Sequence, residues 1–325
     1  MKSWWIQTGA GRMLLEQREV PTPQAQPGQL LVRIRAAALN RGEFIAGHGL
    51  HAAGGPARPA GFEAAGEVVG VGEGVTAFAP GDRVMGRCDG AFADMGCMAS
   101  GEAHPVPAGM PWEQAACTTV VYSTVHDMLI AQGRLLAGEW LLVTGVSSGV
   151  GVGALQVAKA LGARVIGTSG SASKLARLRE LGLDVGIETR SGDFAPAVLE
   201  ATGGQGVDLV VNNVGGSVFP ACLQAMAFCG RLATVGYIDG MVNPELDLMA
   251  LHKKRLTLFG VSAKLRTLQH REAAARAFAR DLLPLLADGR VVPLVDEVFP
   301  FDRLPDAQLR MERGEALGKL VLQMG

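Results

Sequence analysis

The stretch Val143-Thr144-Gly145-Val146-Ser147-Ser148-Gly149-Val150-Gly151 decides how this chain is read. It grows out of a compact apolar run, residues 140–144, that reads as a buried strand, and it opens a helical segment over residues 150–161. Gly162 stands where a left-handed residue would close that helix. The same rhythm repeats outward. Residues 164–168 read as a strand and 174–181 as a helix closed by Gly182, with further strand candidates at 184–188, 208–211, 231–236 and 256–261. Strands alternating with helices imply a parallel sheet covered on both faces, with right-handed crossovers.

Before residue 123 the chain is β-rich. Residues 30–38 and 66–71 are strand candidates, Gly81-Asp82-Arg83-Val84 reads as a turn entering another, and Pro21, Pro23 and Pro27 punctuate the approach. After a charge-laced helical segment at 270–288 the tail turns β-like again, at 291–299 and 318–323, so a terminal strand can rejoin the first domain and make it discontinuous.

Composition narrows the function classes. Thirty Lys and Arg against 31 Asp and Glu give a net charge of −1 over 325 residues, which removes the general attraction to phosphate backbones that a nucleic-acid binder needs. The basic cluster Lys253-Lys254-Arg255 reads as a solvated turn. A 48% hydrophobic content excludes disorder for most of the chain, and 44 glycines without a three-residue period exclude collagen. No run of about 18 apolar residues suggests a membrane span, and the apolar stretch Trp4-Trp5-Ile6 is too short for a signal-peptide core. Five scattered cysteines argue against a disulfide framework and for the cytoplasm.

A glycine-rich turn between a strand and a helix is an anion seat, because first-turn N–H groups and the helix dipole can together hold a pyrophosphate. Glycine at 149 and 151 lets the backbone approach such a ligand and lets the helix pack on the sheet. Val146 and Ser148 depart from the usual GxGxxG pattern, and a purely structural turn is the competing reading. The βα repeats that follow favour dinucleotide binding through Ser147, Ser148, Gly149, Val150 and Gly151. At the end of the second strand, where an NAD site usually carries Asp or Glu, this chain has Thr168-Ser169-Gly170-Ser171-Ala172-Ser173-Lys174. No carboxylate in that stretch repels a 2′-phosphate, and Ser169, Ser171 and Lys174 suit one, so NADPH is expected over NADH; a solvated loop with a helix cap is the bland alternative.

Further landmarks carry a resemblance. Gly61-Phe62-Glu63-Ala64-Ala65-Gly66-Glu67-Val68, Gly72-Glu73-Gly74-Val75, Pro80-Gly81-Asp82-Arg83-Val84, Ala137-Gly138-Glu139 before the VTGVSSGVG turn, and Gly318-Lys319-Leu320-Val321-Leu322 together span nearly the whole chain. With them the chain resembles the medium-chain dehydrogenase/reductase superfamily, nearest its zinc-independent quinone oxidoreductase (zeta-crystallin-like) branch. The resemblance implies an α/β fold: a GroES-like β-rich catalytic domain from residues 1–122 and 290–325, a Rossmann doubly wound parallel-sheet domain from 123–289, and an active site in the cleft between them. It also implies a homodimer, for which the 256–261 segment is a candidate edge.

By the same resemblance, relatives with catalytic zinc carry Cys, His and Cys where this chain has Asn40, Phe62 and Val120; only Glu63 is shared. None of the three substitutes is a zinc ligand, and Cys88, Cys97 and His104 lack the grouping of a structural zinc lobe. Metal-free chemistry is therefore expected. Without a Lewis acid, hydride delivery suits an acceptor that is already electrophilic, a quinone, enone or enoyl thioester, for which the protein supplies orientation and donors to the developing oxyanion. Asn40, in the segment Asn40-Arg41-Gly42-Glu43, is the candidate donor, with a loop cap as the alternative. Thr124 is expected to position the nicotinamide unless it only caps a helix. Asn213, Val214, Gly215, Gly216, Gly236, Tyr237, Phe259, Gly260, Val261 and Ser262 are expected along the nicotinamide-ribose crevice, with Lys319 reaching it from the tail; Asn212 reads rather as a packed strand residue. Tyr122, His126, His48 and His51 are candidate proton donors beside solvent itself, and each also reads as an ordinary packed or surface residue. Neither tyrosine has Lys four residues on, so a Tyr-x-x-x-Lys mechanism is not matched. A zinc alcohol dehydrogenase and a low-turnover NADPH-binding sensor are the competing functions. Residues 46–59 are expected to shape the substrate pocket.

Overall fold

The computed structural model describes residues 1–9, 12–45 and 56–325, so His48 and His51 lie outside the described residues. The chain forms two compact units.

The first unit comprises Met1–Val121, Arg266–Ala287 and Pro293–Gly325. Its main sheet runs Val295–Pro300, Lys319–Gln323, Gln29–Ala38, Glu63–Val71, Arg83–Arg87, Ala103–Pro105, with Met95–Ala99 also pairing to Gln29–Ala38. The C-terminal strand lies antiparallel to Gln29–Ala38, Val321 opposite Ala38 and Gln323 opposite Ala36, so the tail does rejoin the first β domain. Alternate residues Leu30, Val32 and Ile34 are buried in its core, as a half-buried strand of period two requires. Gly66 is needed here because a Cβ would sit 2.1 Å from the carbonyl oxygen of Arg33. A smaller sheet, Arg12–Glu19, Lys2–Gly9 and Arg58–Pro59, flanks it; the Trp4-Trp5-Ile6 stretch is part of its central strand.

The second unit comprises Tyr122–Leu265 and Asp288–Val292. Its six strands are all parallel, in the order Val185–Glu188, Arg164–Ser169, Trp140–Thr144, Val207–Asn212, Met226–Thr234, Thr257–Gly260. The order reverses between Trp140–Thr144 and Val207–Asn212, which is the doubly wound Rossmann arrangement with its switch point at those two strands. Helices Gly149–Ala160 and Ala172–Glu180 end before Gly162 and Gly182, whose φ of +82° and +93° are the expected left-handed caps.

Two boundaries differ from the sequence expectation. Helix Leu268–Asp281 falls within 123–289 yet packs in the first unit, where Arg271 pairs with Glu102 at 2.9 Å and Phe278 meets His104 edge-on. The strand expected from 291 begins only at Val295, because Gln156 clamps Val292 through both its N–H and its carbonyl, at 2.6 and 2.8 Å, and keeps 288–292 with the second unit. No helix among the described residues is long and apolar enough to cross a membrane.

Candidate active site

At the switch point of the second unit, Gly145 turns the chain with φ +62° and Ser148 caps helix Gly149–Ala160, its hydroxyl accepting the Gly151 N–H at 3.1 Å. A Cβ on Gly151 would lie 2.6 Å from the Val146 carbonyl oxygen, so only glycine lets this first turn fold so tightly over the strand end. Val146, where a glycine is usual, is buried and fills the space left by Gly167, whose own Cβ would meet it at 2.6 Å. The departure from GxGxxG is thus a packing exchange, and the helix N-terminus that remains can still receive an anion.

The neighbouring strand end is built from its own polar groups. Thr144 Oγ1 accepts the Asn213 N–H at 3.0 Å, and Asn213 Nδ2 donates to the Thr144 carbonyl at 3.1 Å. Asn212, fully buried, spends its side chain on the next turn: Oδ1 accepts the N–H groups of Val214 and Gly215, and Nδ2 donates to the Gly215 carbonyl. It is the packed strand residue the sequence suggested. Gly236 and Val235 donate back to the Asn212 carbonyl, and Asp239 N donates to Val214, so the expected crevice residues Asn213, Val214, Gly215, Gly236 and Tyr237 do converge on one turn cluster. Phe259 and Gly260 end the adjacent strand, opposite Ala233 and Thr234, with exposed Ser262 just beyond.

At the end of strand Arg164–Ser169, Ser169 is buried, 3.4 Å from the Ser147 hydroxyl. Ser171 caps helix Ala172–Glu180 by accepting the Lys174 N–H. Two neighbours escaped the sequence reading because they lie one strand further on. Exposed Arg190 lies across Gly170 and donates to its carbonyl, close enough that a Cβ on Gly170 would strike it at 2.6 Å. Glu188 accepts the Ala172 N–H at 3.2 Å and sets a carboxylate at the start of that helix.

The first unit holds a second cluster, and strand order explains it. Lys319 starts the C-terminal strand, Asn40 lies two residues past the end of Gln29–Ala38, and Glu63 starts the next strand; antiparallel neighbours bring start, end and start to one edge of the sheet. Gly318, φ +93° with the Leu294 oxygen 2.4 Å from a would-be Cβ, makes the tight entry that sets Lys319 there. The buried Lys319 ammonium donates to Glu63 Oε1 at 2.8 Å, Asn40 Oδ1 at 2.7 Å and the Leu39 carbonyl at 2.8 Å. Glu63 Oε2 accepts the Val120 N–H at 2.9 Å, and Glu43 Oε1 accepts both the N–H and the Nδ2–H of Asn40. Burial pushes the Glu43 carboxyl up to about 8, with the opposing pull of Asn40 and Lys319 too small to offset it. Glu43 therefore carries a proton at neutral pH and the Lys319–Glu63 pair leaves the cluster neutral.

This corrects the part expected of Lys319. An ammonium has three hydrogens, all three are engaged inside the first unit, and none is left to reach a coenzyme. The donor set also fails the test for catalytic zinc. Asn40, Phe62 and Val120 supply an amide, a ring flanked by Arg58 and Arg87, and a backbone N–H, while the Lys319 ammonium already engages Asn40 and Glu63. Nor do Cys88, Cys97 and His104 form a metal set: among the described residues no group of three His, Cys, Asp or Glu is close enough, and burial against Phe278 lowers His104 to about 4.

Of the candidate proton donors, Tyr122 and His126 share one face of helix Thr119–His126 and are both buried, which separates them from solvent. Half-buried Thr124 lies about 200° round the helix from Tyr122, on another face.

Comparison with known proteins agrees with this fold. The alcohol dehydrogenase GroES-like domain family matches residues 26–122, and the zinc-binding dehydrogenase family matches 149–279. The human synaptic vesicle membrane protein VAT-1 homolog is 31% identical over 335 residues, covering 98% of this chain and 84% of that protein. Among solved structures, a mycobacterial protein in complex with NADPH superposes with a TM-score of 0.88 at 28% identity, over 99% of this chain and 100% of that one. A quinone oxidoreductase from Pseudomonas syringae pv. tomato superposes at 0.86 and 27% identity, over 99% and 100%. The chain belongs to the medium-chain dehydrogenase/reductase superfamily, in its zinc-independent quinone oxidoreductase branch, and is an oxidoreductase of the medium-chain dehydrogenase/reductase type.

Proposed function

We propose that the chain is an NADPH-dependent reductase of quinones or α,β-unsaturated carbonyls that works without catalytic zinc. The observation that carries this reading is the Lys319 ammonium held by Asn40, Glu63 and the Leu39 carbonyl, a cation that already takes up the oxygen of Asn40. The NADPH-bound structural neighbour and the glycine-tight turn at Gly151 support the coenzyme. The coenzyme supplies the hydride. Hydride addition to the conjugated system moves a pair of electrons onto the acceptor oxygen, and Asn40 donates to that oxygen as its charge grows. Buried Tyr122 and His126 are poorly disposed to give the balancing proton, which comes from solvent. Mixing the protein and NADPH with 1,4-naphthoquinone, trans-3-nonen-2-one and trans-2-hexenoyl-CoA should deplete reduced-coenzyme absorbance with at least one of them. Coenzyme binding without turnover on all three would favour a binding protein instead.

In this reading Ser147, Ser148, Gly149, Val150 and Gly151 hold the pyrophosphate, and Ser169, Ser171, Lys174 and Arg190 the 2′-phosphate. Two cations outweigh the carboxylate of Glu188 at that site. A charge-assisted contact of about 1.5–3 kcal/mol corresponds to roughly tenfold or more in affinity. Lys174→Gln/Arg190→Gln should therefore raise KM for NADPH at least tenfold and leave KM for NADH within about twofold; an equal rise for both coenzymes would refute the assignment. The same reading has the protein cytoplasmic and dimeric along the edge strand Thr257–Gly260, and a monomeric mass by light scattering would remove the latter point.

A further inference from the structure

We propose that Lys319 and Glu43 are positioning residues that grip the Asn40 carboxamide from its two ends and leave one Nδ2 hydrogen for the substrate oxygen. This rests on the reading of Asn40 as the oxyanion donor. An amide can be built either way round, and here its partners decide the orientation. Lys319 only donates, so the atom 2.7 Å from its Nζ is Oδ1. That turns Nδ2 toward Glu43 Oε1, 3.0 Å away, and this oxygen also takes the Asn40 N–H at 3.1 Å.

Side-chain rotation of Asn40 is thus blocked at both ends by groups that are themselves fixed. Glu43 is 2% exposed and sits in the short turn Arg41–Glu43, reaching back to the residue that opens it. Lys319 is held by Glu63, whose second oxygen is held by the Val120 N–H. Among the side chains that make these contacts Asn40 alone is half-buried; Lys319, Glu63 and Glu43 are buried, and Val120 contributes only its engaged backbone N–H. The remaining Nδ2 hydrogen is thus the side-chain hydrogen of the cluster at an accessible position. The cation on Oδ1 also polarises the amide and strengthens that hydrogen as a donor when negative charge builds on its partner. A donor held in place before the reaction needs no reorganisation as the oxyanion forms.

A merely structural network would tie the same groups together without acting through Asn40, and a double-mutant cycle separates the two. With NADPH and the best acceptor among 1,4-naphthoquinone, trans-3-nonen-2-one and trans-2-hexenoyl-CoA, Asn40→Ala should lower kcat at least tenfold with KM for NADPH little changed. Lys319→Met/Glu63→Gln, which leaves no unpaired buried charge, should also lower kcat about tenfold. Combined with Asn40→Ala it should lower kcat no further than Asn40→Ala alone. Glu43→Ala should lose activity and Glu43→Gln, which keeps the accepting oxygen, should recover most of it. Additive losses in the cycle, or equal losses in both Glu43 variants, overturn the inference alone; a wild-type chain silent on all three acceptors overturns it together with the functional reading. If Lys319→Met/Glu63→Gln fails to fold, the Asn40 and Glu43 cycle decides by the same rule.

Discussion

Gly215→Ala should cost more than a hundredfold in NADPH affinity and several degrees in Tm. Gly215 stands at φ +132°, ψ −150°, a region open in practice only to glycine, and straining a side chain into it costs about 1–3 kcal/mol. A Cβ there would lie 2.1 Å from Asp239 Oδ1. Asp239 cannot step aside cheaply, because its carboxylate accepts the N–H groups of Ser217 at 2.8 Å and Met241 at 2.9 Å. Burial alone would push its pKa up, yet those hydrogen bonds outweigh burial and hold the carboxyl below its ordinary range, so it is charged and its bonds are charge-assisted. The alanine methyl must therefore drive apart the turns at 213–217 and 236–241, the two that the proposed coenzyme site needs together. Gly240→Ala is the control: φ is +74° but nothing lies within 4 Å of its Cβ, so only the left-handed strain of about 1 kcal/mol remains. Fluorescence titration and thermal melts check both. Unchanged NADPH affinity in Gly215→Ala would mean that the turn does not touch the coenzyme.

Most of the fold was legible because its signals are local. The run 140–144, the helix after it and the caps Gly162 and Gly182 each depend on a few adjacent residues, and the βα repeat then prescribes a parallel sheet. The tail strand was readable for the same reason, since Gly318-Lys319-Leu320-Val321-Leu322 couples a tight entry to an apolar run. Helix Leu268–Asp281 was misassigned because its partners Glu102 and His104 lie about 170 residues upstream, and a face that packs on distant residues carries no mark in its own sequence. The site divides in the same way. The glycines at 149 and 151 announce themselves by their place between strand and helix, and Gly215 through the resemblance, whereas the capping role of Ser148 emerges only in the structure. Arg190 does not, because it reaches Gly170 only through the pairing of two parallel strands, and the engagement of Lys319 by Asn40, Glu63 and Leu39 depends on three strands meeting at one edge. Glu43 was visible as a neighbour of Asn40, but its burial, and hence its proton, was not.

That proton yields the second large effect. A carboxyl raised from its ordinary 4.5 to about 8 binds its proton more tightly in the folded chain than in the unfolded one. Between those two values the folded state holds a proton that the unfolded state has released, so unfolding releases it and stability falls as pH rises, by at most about 1.4 kcal/mol per pH unit. The contribution is complete below about 4.5, declines between 4.5 and 8, and is gone above 8. Burial is the main cause; Lys319 and Glu63 face Glu43 with opposite signs, and the charge of Arg58 is also felt there. Glu43→Gln has nearly the same shape and no charge to bury, so it removes this slope while every other group cancels in the comparison. Against wild type, the variant should melt at about the same temperature at pH 5. Its advantage should then widen steadily to pH 8, reaching several degrees, and hold level at pH 9. A difference in Tm that stays constant from pH 5 to 9, or narrows as pH rises, would mean that Glu43 is ionised in the folded protein at neutral pH. The cluster would then carry a net negative charge beside Asn40, which would oppose the oxyanion that Asn40 is proposed to receive.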